Sequence, residues 1–120
     1  MATMSKILLS GSTNGRGIKV ATASPLDGSD TTIHTGVSST TDTDYVTLYC
    51  YNDDSVYRDL HLGWGGTTDP DDFIIVPIPP QEGLVPVVLE LPIRNSLVVV
   101  ASGSAANVLV IFGHVTRIAA

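Results

Sequence analysis

The sequence predicts an all-β fold: a β-sandwich or jelly roll of about eight short antiparallel strands with an extended N-terminal arm. Apolar residues alternate with a period of two in one stretch after another. Clusters of Gly, Pro, Asp and Ser separate those stretches at short intervals, and no useful length of chain carries a helical period.

Residues 1–17 read as the arm, extended from Ser5 to Ser10 and then flexible through Gly11, Gly15 and Gly17. The run GSTNGRG suggests a phosphate loop, but it lacks the GxxxxGK[ST] spacing and a strong preceding strand, so it reads as a plain turn. A single domain then spans 18–120. Ile18 to Ala23 is a short strand closed by the turn signal Ser24-Pro25-Leu26-Asp27-Gly28. Thr31 to Val37 follows, with Ile33, Thr35 and Val37 facing one way and His34 the other. Ser38 to Thr43 is a polar loop.

The stretch from Asp44 to Gly66 reads as a hairpin that turns at Asn52-Asp53-Asp54-Ser55. Val46, Leu48 and Cys50 on its first strand, and Leu60, Leu62 and Trp64 on its second, form core faces. Tyr45, Tyr49 and Tyr51 share the opposite face of the first strand. After the loop GGTTDPDD, Asp72 to Ile78 is apolar on both faces and is expected to be covered on both sides. Pro77, Pro79 and Pro80 cannot donate to a ladder, so this strand is expected to lie at an edge or to end there. Leu84 to Leu91 follows, where Pro86 and Pro92 again argue for edge or irregular pairing. Leu97 to Ala101 and Asn107 to Ile118 complete the set, the last strand being apolar on both faces as far as Phe112.

A chain of 120 residues is the size of one domain. Its formal charge is −6, with six Lys and Arg residues spread thinly. A surface without clustered cations neutralises few phosphates, which argues against nucleic acid and anionic membranes as partners. Hydrophobic residues make up 43% and charged residues only 15%. That balance leaves more apolar surface than one small core hides, so oligomerisation is expected. Ile7 to Leu9 is far shorter than a signal-peptide core, and no apolar run reaches membrane-helix length. Synthesis in the cytoplasm as a soluble chain is the expectation.

Residues that could carry chemistry are scattered. His34, His61 and His114 include no His-x-His pair, so a metal site is not expected. Asp53 and Asp54, and Asp69, Asp71 and Asp72, read as acidic turns rather than a calcium loop. Glu82 and Glu90 lie in proline-rich turns instead of facing each other across a cleft. No serine sits in G-x-S-x-G. Cys50, the only cysteine, reads as a buried small hydrophobe. An enzyme is not expected, nor a cofactor. The tyrosine face is better suited to a protein contact, with a sugar as the alternative ligand.

The order ATASPLDGSDTTIHTGVSSTTDTDYVTLYCYNDD, then LHLGWGGTTDPDDFIIVPIPPQEGLVPV, then SLVVVASGSAANVLVIFGHVTRI resembles small virion proteins of tailed bacteriophages, in particular head decoration or cement proteins. The resemblance spans Ala21 to Ile118. Its most distinctive pieces are Ser24-Pro25-Leu26-Asp27-Gly28, Leu62-Gly63-Trp64-Gly65-Gly66 with Thr67-Thr68, and Gly113-His114-Val115-Thr116-Arg117-Ile118. It implies a β-rich, non-enzymatic homotrimer on the outside of a phage capsid, with the major capsid protein as its partner. Ile74, Val76, Leu109 and Ile111 are the candidates for contacts between subunits. Lys6, Ile7, Leu8 and Leu9 of the arm are the candidates for the shell, and Tyr45, Tyr49 and Tyr51 form the face expected to meet a partner. The alternatives are a carbohydrate-binding module on a phage surface, using the tyrosine face, and a neck or tail accessory protein.

Overall fold

The structure is a computed structural model and describes residues 2–23, 26 and 30–120. Among these residues the period-two stretches form nine strands: β1 (Thr3–Ile7), β2 (Ile18–Lys19), β3 (Thr31–Thr35), β4 (Thr43–Asn52), β5 (Arg58–Trp64), β6 (Phe73–Ile78), β7 (Val85–Ile93), β8 (Val98–Gly103) and β9 (Leu109–Ala119). One sheet has the order β1-β9-β4-β7, with β2 also paired to β9, and the other has the order β3-β8-β5-β6. The pairs β1–β9, β3–β8, β4–β7 and β5–β6 are all antiparallel. The chain is therefore one long two-stranded ribbon, with its tip at the loop 65–72, rolled so that successive segments alternate between the sheets. The β4–β9 and β5–β8 ladders join the turns of the roll. This is the jelly-roll form of the predicted sandwich.

The stretch from Asp44 to Gly66 is not a hairpin. β4 and β5 lie in opposite sheets and face each other across the core, where Val46, Leu48, Cys50, Leu60 and Leu62 are fully buried. Periodicity reports which face of a strand is buried, and it is silent on which strand lies beside it. The crossing is held by Asn52, whose amide nitrogen donates to the Val56 and Ile78 carbonyls at 2.9 Å each. Its Oδ1 accepts from Asp54 N at 2.9 Å. Ile33, Val99, Leu109, Ile111 and Val115 complete the centre of the core, and Trp64 packs only at its margin.

The N-terminal segment belongs to the domain instead of forming a free arm. β1 pairs with the end of β9 from Thr3↔Ala119 to Ile7↔Val115. The following strap, 8–17, leaves this sheet after β1, reaches β3 of the other sheet and returns to β9 at β2, closing one flank of the roll. Leu9 enters the core on the way, and Gly11 N donates to the Ile33 carbonyl at 2.9 Å. The approach at Gly11 requires glycine, since a Cβ there would lie 2.3 Å from the Thr32 carbonyl oxygen. The GSTNGRG run is a turn, closed by Ser12 N to Leu9 O and Arg16 N to Thr13 O.

β6 and β7 are the edges at the opposite flank, where their prolines place them. β6 is covered on one side only, because its outer residue Ile75 is 56% exposed. A register shift between Thr32 and His34 breaks the alternation in β3, so Ile33 and His34 are both buried. Of the turn expected at 24–28, only Leu26 is among the described residues, and it is buried.

Candidate functional site

The edge strands β6 and β7 carry exposed apolar side chains that can be traced to a cause in the sequence. Ile74 and Val76 of β6, and Val85, Val87 and Leu91 of β7, pack on the core but remain half-buried, because no strand lies beyond them. On the outward face of β6 Ile75 is 56% exposed, and Leu89 on β7 and Leu84 just before it are 67% and 52% exposed. Leu89 is pushed outward by a bulge in β7: Val46 pairs with Leu91 and Leu48 with Val88, so three steps on β7 oppose two on β4. Glu90 takes a φ of 52° in this bulge. Its N–H donates to Thr47 Oγ1 at 3.2 Å, and that hydroxyl donates to Glu90 Oε1 at 3.4 Å. Prolines and a bulge stop an edge from accepting a further strand.

Of the residues predicted for contacts between subunits, Ile74 and Val76 lie on this flank. Leu109 and Ile111 do not. They are fully buried, because β9 sits inside its sheet and its inner face is the protomer's own core. Leu9, predicted to meet the shell, is likewise a core residue, whereas Lys6 and Leu8 are exposed and Ile7 is half-buried. Tyr45, Tyr49 and Tyr51 share the outer face of β4 as expected, opposite Thr116, Phe112 and Val110 of β9. All three are half-buried, and Tyr51 donates from its hydroxyl to Asp53 Oδ1 at 3.2 Å. Sequence reasoning missed Ile75, Leu84 and Leu89. The signal was their position in the same proline-rich edges.

A second feature lies at the end of the roll where β7 stops. A cleft of about 480 Å³ is lined by Tyr45, Trp64, Pro92, Arg94, Asn95 and Leu97, among others. Its wall is the turn Arg94–Leu97, in which Asn95 and Ser96 have φ of 61° and 59° and Leu97 N donates to Arg94 O at 3.3 Å. Asn95 N to Ser39 O and Ser96 N to Val37 O fix this turn to the β3–β4 loop. Arg94 donates to the Thr40 carbonyl and, at 2.7 Å, to Thr43 Oγ1. The Trp64 indole N–H donates to the Pro92 carbonyl at 3.0 Å, which fixes the ring. Trp64, expected in the core, lines this cleft because it is the last residue of β5.

Near the same end, Asp44 is fully buried and holds three elements together. Arg117 Nε donates to its Oδ1 at 2.6 Å and Arg117 Nη2 to its Oδ2 at 3.0 Å. His34 Nε2 also reaches Oδ2, at 2.8 Å, and Val37 N donates to the same oxygen at 3.1 Å. Ser10 N donates to His34 Nδ1 at 3.1 Å, so the imidazole proton sits on Nε2. Burial pulls the Asp44 pKa up, but hydrogen bonds from Arg117 and His34, with the Arg117 charge, outweigh it and hold the carboxyl below its ordinary value. Both nitrogens of His34 are engaged internally, and this cluster ties the strap, β3, β4 and β9 together.

The three histidines do not converge. His34 is in this cluster, His61 pairs with Ile75 in one sheet, and His114 pairs with Thr47 in the other. Cys50 is buried, and burial pushes its thiol pKa up to about 12. Comparison with protein-family models, with curated proteins and with solved structures found no match for the chain.

Proposed function

We propose that the chain is a structural virion protein that binds the outside of a phage capsid lattice and stabilises it, assembling as a homotrimer through the β6–β7 flank. The observation that carries this reading is the exposure of three large apolar side chains on or beside the edge strands, Ile75 on β6, Leu89 on β7 and Leu84 just before β7. Covering such side chains contributes roughly 25 cal/mol per Å² of apolar surface removed from water. A jelly roll hosts many unrelated functions, so the reading rests on this surface and on the resemblance in chain order, not on the fold. The formal charge of −6 suits the exterior of a particle better than contact with packaged DNA. The partner is the major capsid protein, and three linked copies raise avidity for a repeating lattice without strong individual contacts.

Sedimentation equilibrium of the purified chain at micromolar concentration is expected to show a trimer. The double variant Ile75→Asp, Leu89→Asp is expected to be monomeric. Its thermal midpoint as a folded protomer should barely move, because exposed positions usually change stability by less than about 0.5 kcal/mol. A monomeric wild-type chain removes the trimer from the account. A double variant that remains trimeric moves the interface away from this flank.

A further inference from the structure

We infer that the cleft between Tyr45, Trp64 and the Arg94–Leu97 turn is a saccharide-binding site. Its volume of about 480 Å³ suits a small ligand and is ample for one or two pyranose rings. The lining combines ring surface from Tyr45 and Trp64 with polar groups of both kinds. Neither the Tyr45 hydroxyl nor the Asn95 carboxamide has a hydrogen-bond partner among the described residues. Arg94 bonds only to neutral oxygens, and the cleft lining contains no carboxylate.

A pyranose fits this combination. One of its faces is C–H and rests on an aromatic ring, while its rim hydroxyls both donate and accept, as a carboxamide, a phenol and a guanidinium require. A purely apolar occupant would cover Asn95 and the Tyr45 hydroxyl without replacing their bonds to water, at a cost. A proline-rich peptide is commonly held by a tryptophan N–H donating to its carbonyl. Here the Trp64 N–H is already given to Pro92 O, which leaves the ring face but no donor. The site is also built in advance. The indole is fixed by that bond, and the left-handed turn is anchored at Ser39 and Val37, so little ordering opposes binding.

Trp64 is the only tryptophan in the chain, so its emission reports on the cleft directly. The full chain is titrated with methyl glucoside, N-acetylglucosamine and glucuronate. At least one is expected to give a saturable change in emission in the millimolar range or tighter. Tyr45→Ala and Asn95→Gly should each weaken that binding about tenfold, through lost ring contact or one lost hydrogen bond. Asn95→Gly retains the fold, because glycine adopts the left-handed backbone of this turn freely. The absence of a saturable change with all three sugars would overturn the inference. So would a titration that is the same in both variants as in the wild type.

Discussion

Removing the Asp44 carboxylate would leave the Arg117 guanidinium, His34 Nε2–H and Val37 N–H without their shared acceptor at a fully buried position. Asp44→Ala is therefore predicted to cost about 3–5 kcal/mol in urea unfolding at neutral pH. The pH dependence has a definite sign. The folded carboxyl titrates below its ordinary value of 3.8, so its stabilisation is complete above that value and fades as pH falls through the lower folded one. The gap in stability between wild type and Asp44→Ala should thus be widest at neutral pH and narrow below about pH 4. A gap that stays constant into acid would contradict this assignment. Little of the cluster was legible in the sequence. His34 reads as outward-facing by strict alternation, and only the register shift in β3 turns it inward. Cys50 was legible, because its alternation with Val46 and Leu48 already marks it as buried.

At the scale of the element, β4 and β9 form the longest ladder, from Thr43↔Ile118 to Asn52↔Leu109. It depends on glycine at one point. A Cβ at Gly113 would lie 2.1 Å from the Thr47 carbonyl oxygen, a backbone atom that cannot step aside. Gly113→Ala is predicted to cost about 3 kcal/mol or more, read from the urea midpoint. A loss below about 1 kcal/mol would mean that the ladder yields more easily than its geometry implies. Strand existence was largely legible, since period-two stretches bounded by turn residues mark most strands to within a few positions. The edge assignment of β6 and β7 was legible from Pro77, Pro86 and Pro92. The path between strands was not. A polar turn such as Asn52–Ser55 suits a hairpin as well as a crossing between sheets. What distinguishes them is the reach of the Asn52 amide to Ile78, a residue 26 positions away. The N-terminal segment reads as an arm for a related reason, because Thr3–Ile7 has no inner apolar set of its own and becomes a strand only by pairing with β9.

For the whole molecule, the rolled ribbon leaves its two flanks unequal. The strap from Leu8 to Gly17 closes one, while proline and the β7 bulge keep the other free of further strands and expose its apolar side chains. The composition signals an excess of apolar surface, which Ile75, Leu84 and Leu89 carry in part, whereas Ile74 and Val76 pack against the core and Leu109 and Ile111 lie in it. The apolar content of β9 satisfies the protomer itself. Stabilisation of a phage shell from outside, the role proposed for this chain, is tested by heating and osmotically shocking particles with and without the chain and measuring how many remain intact. Complete particles are predicted to survive conditions under which particles lacking the chain rupture. Equal survival of the two would contradict the claim.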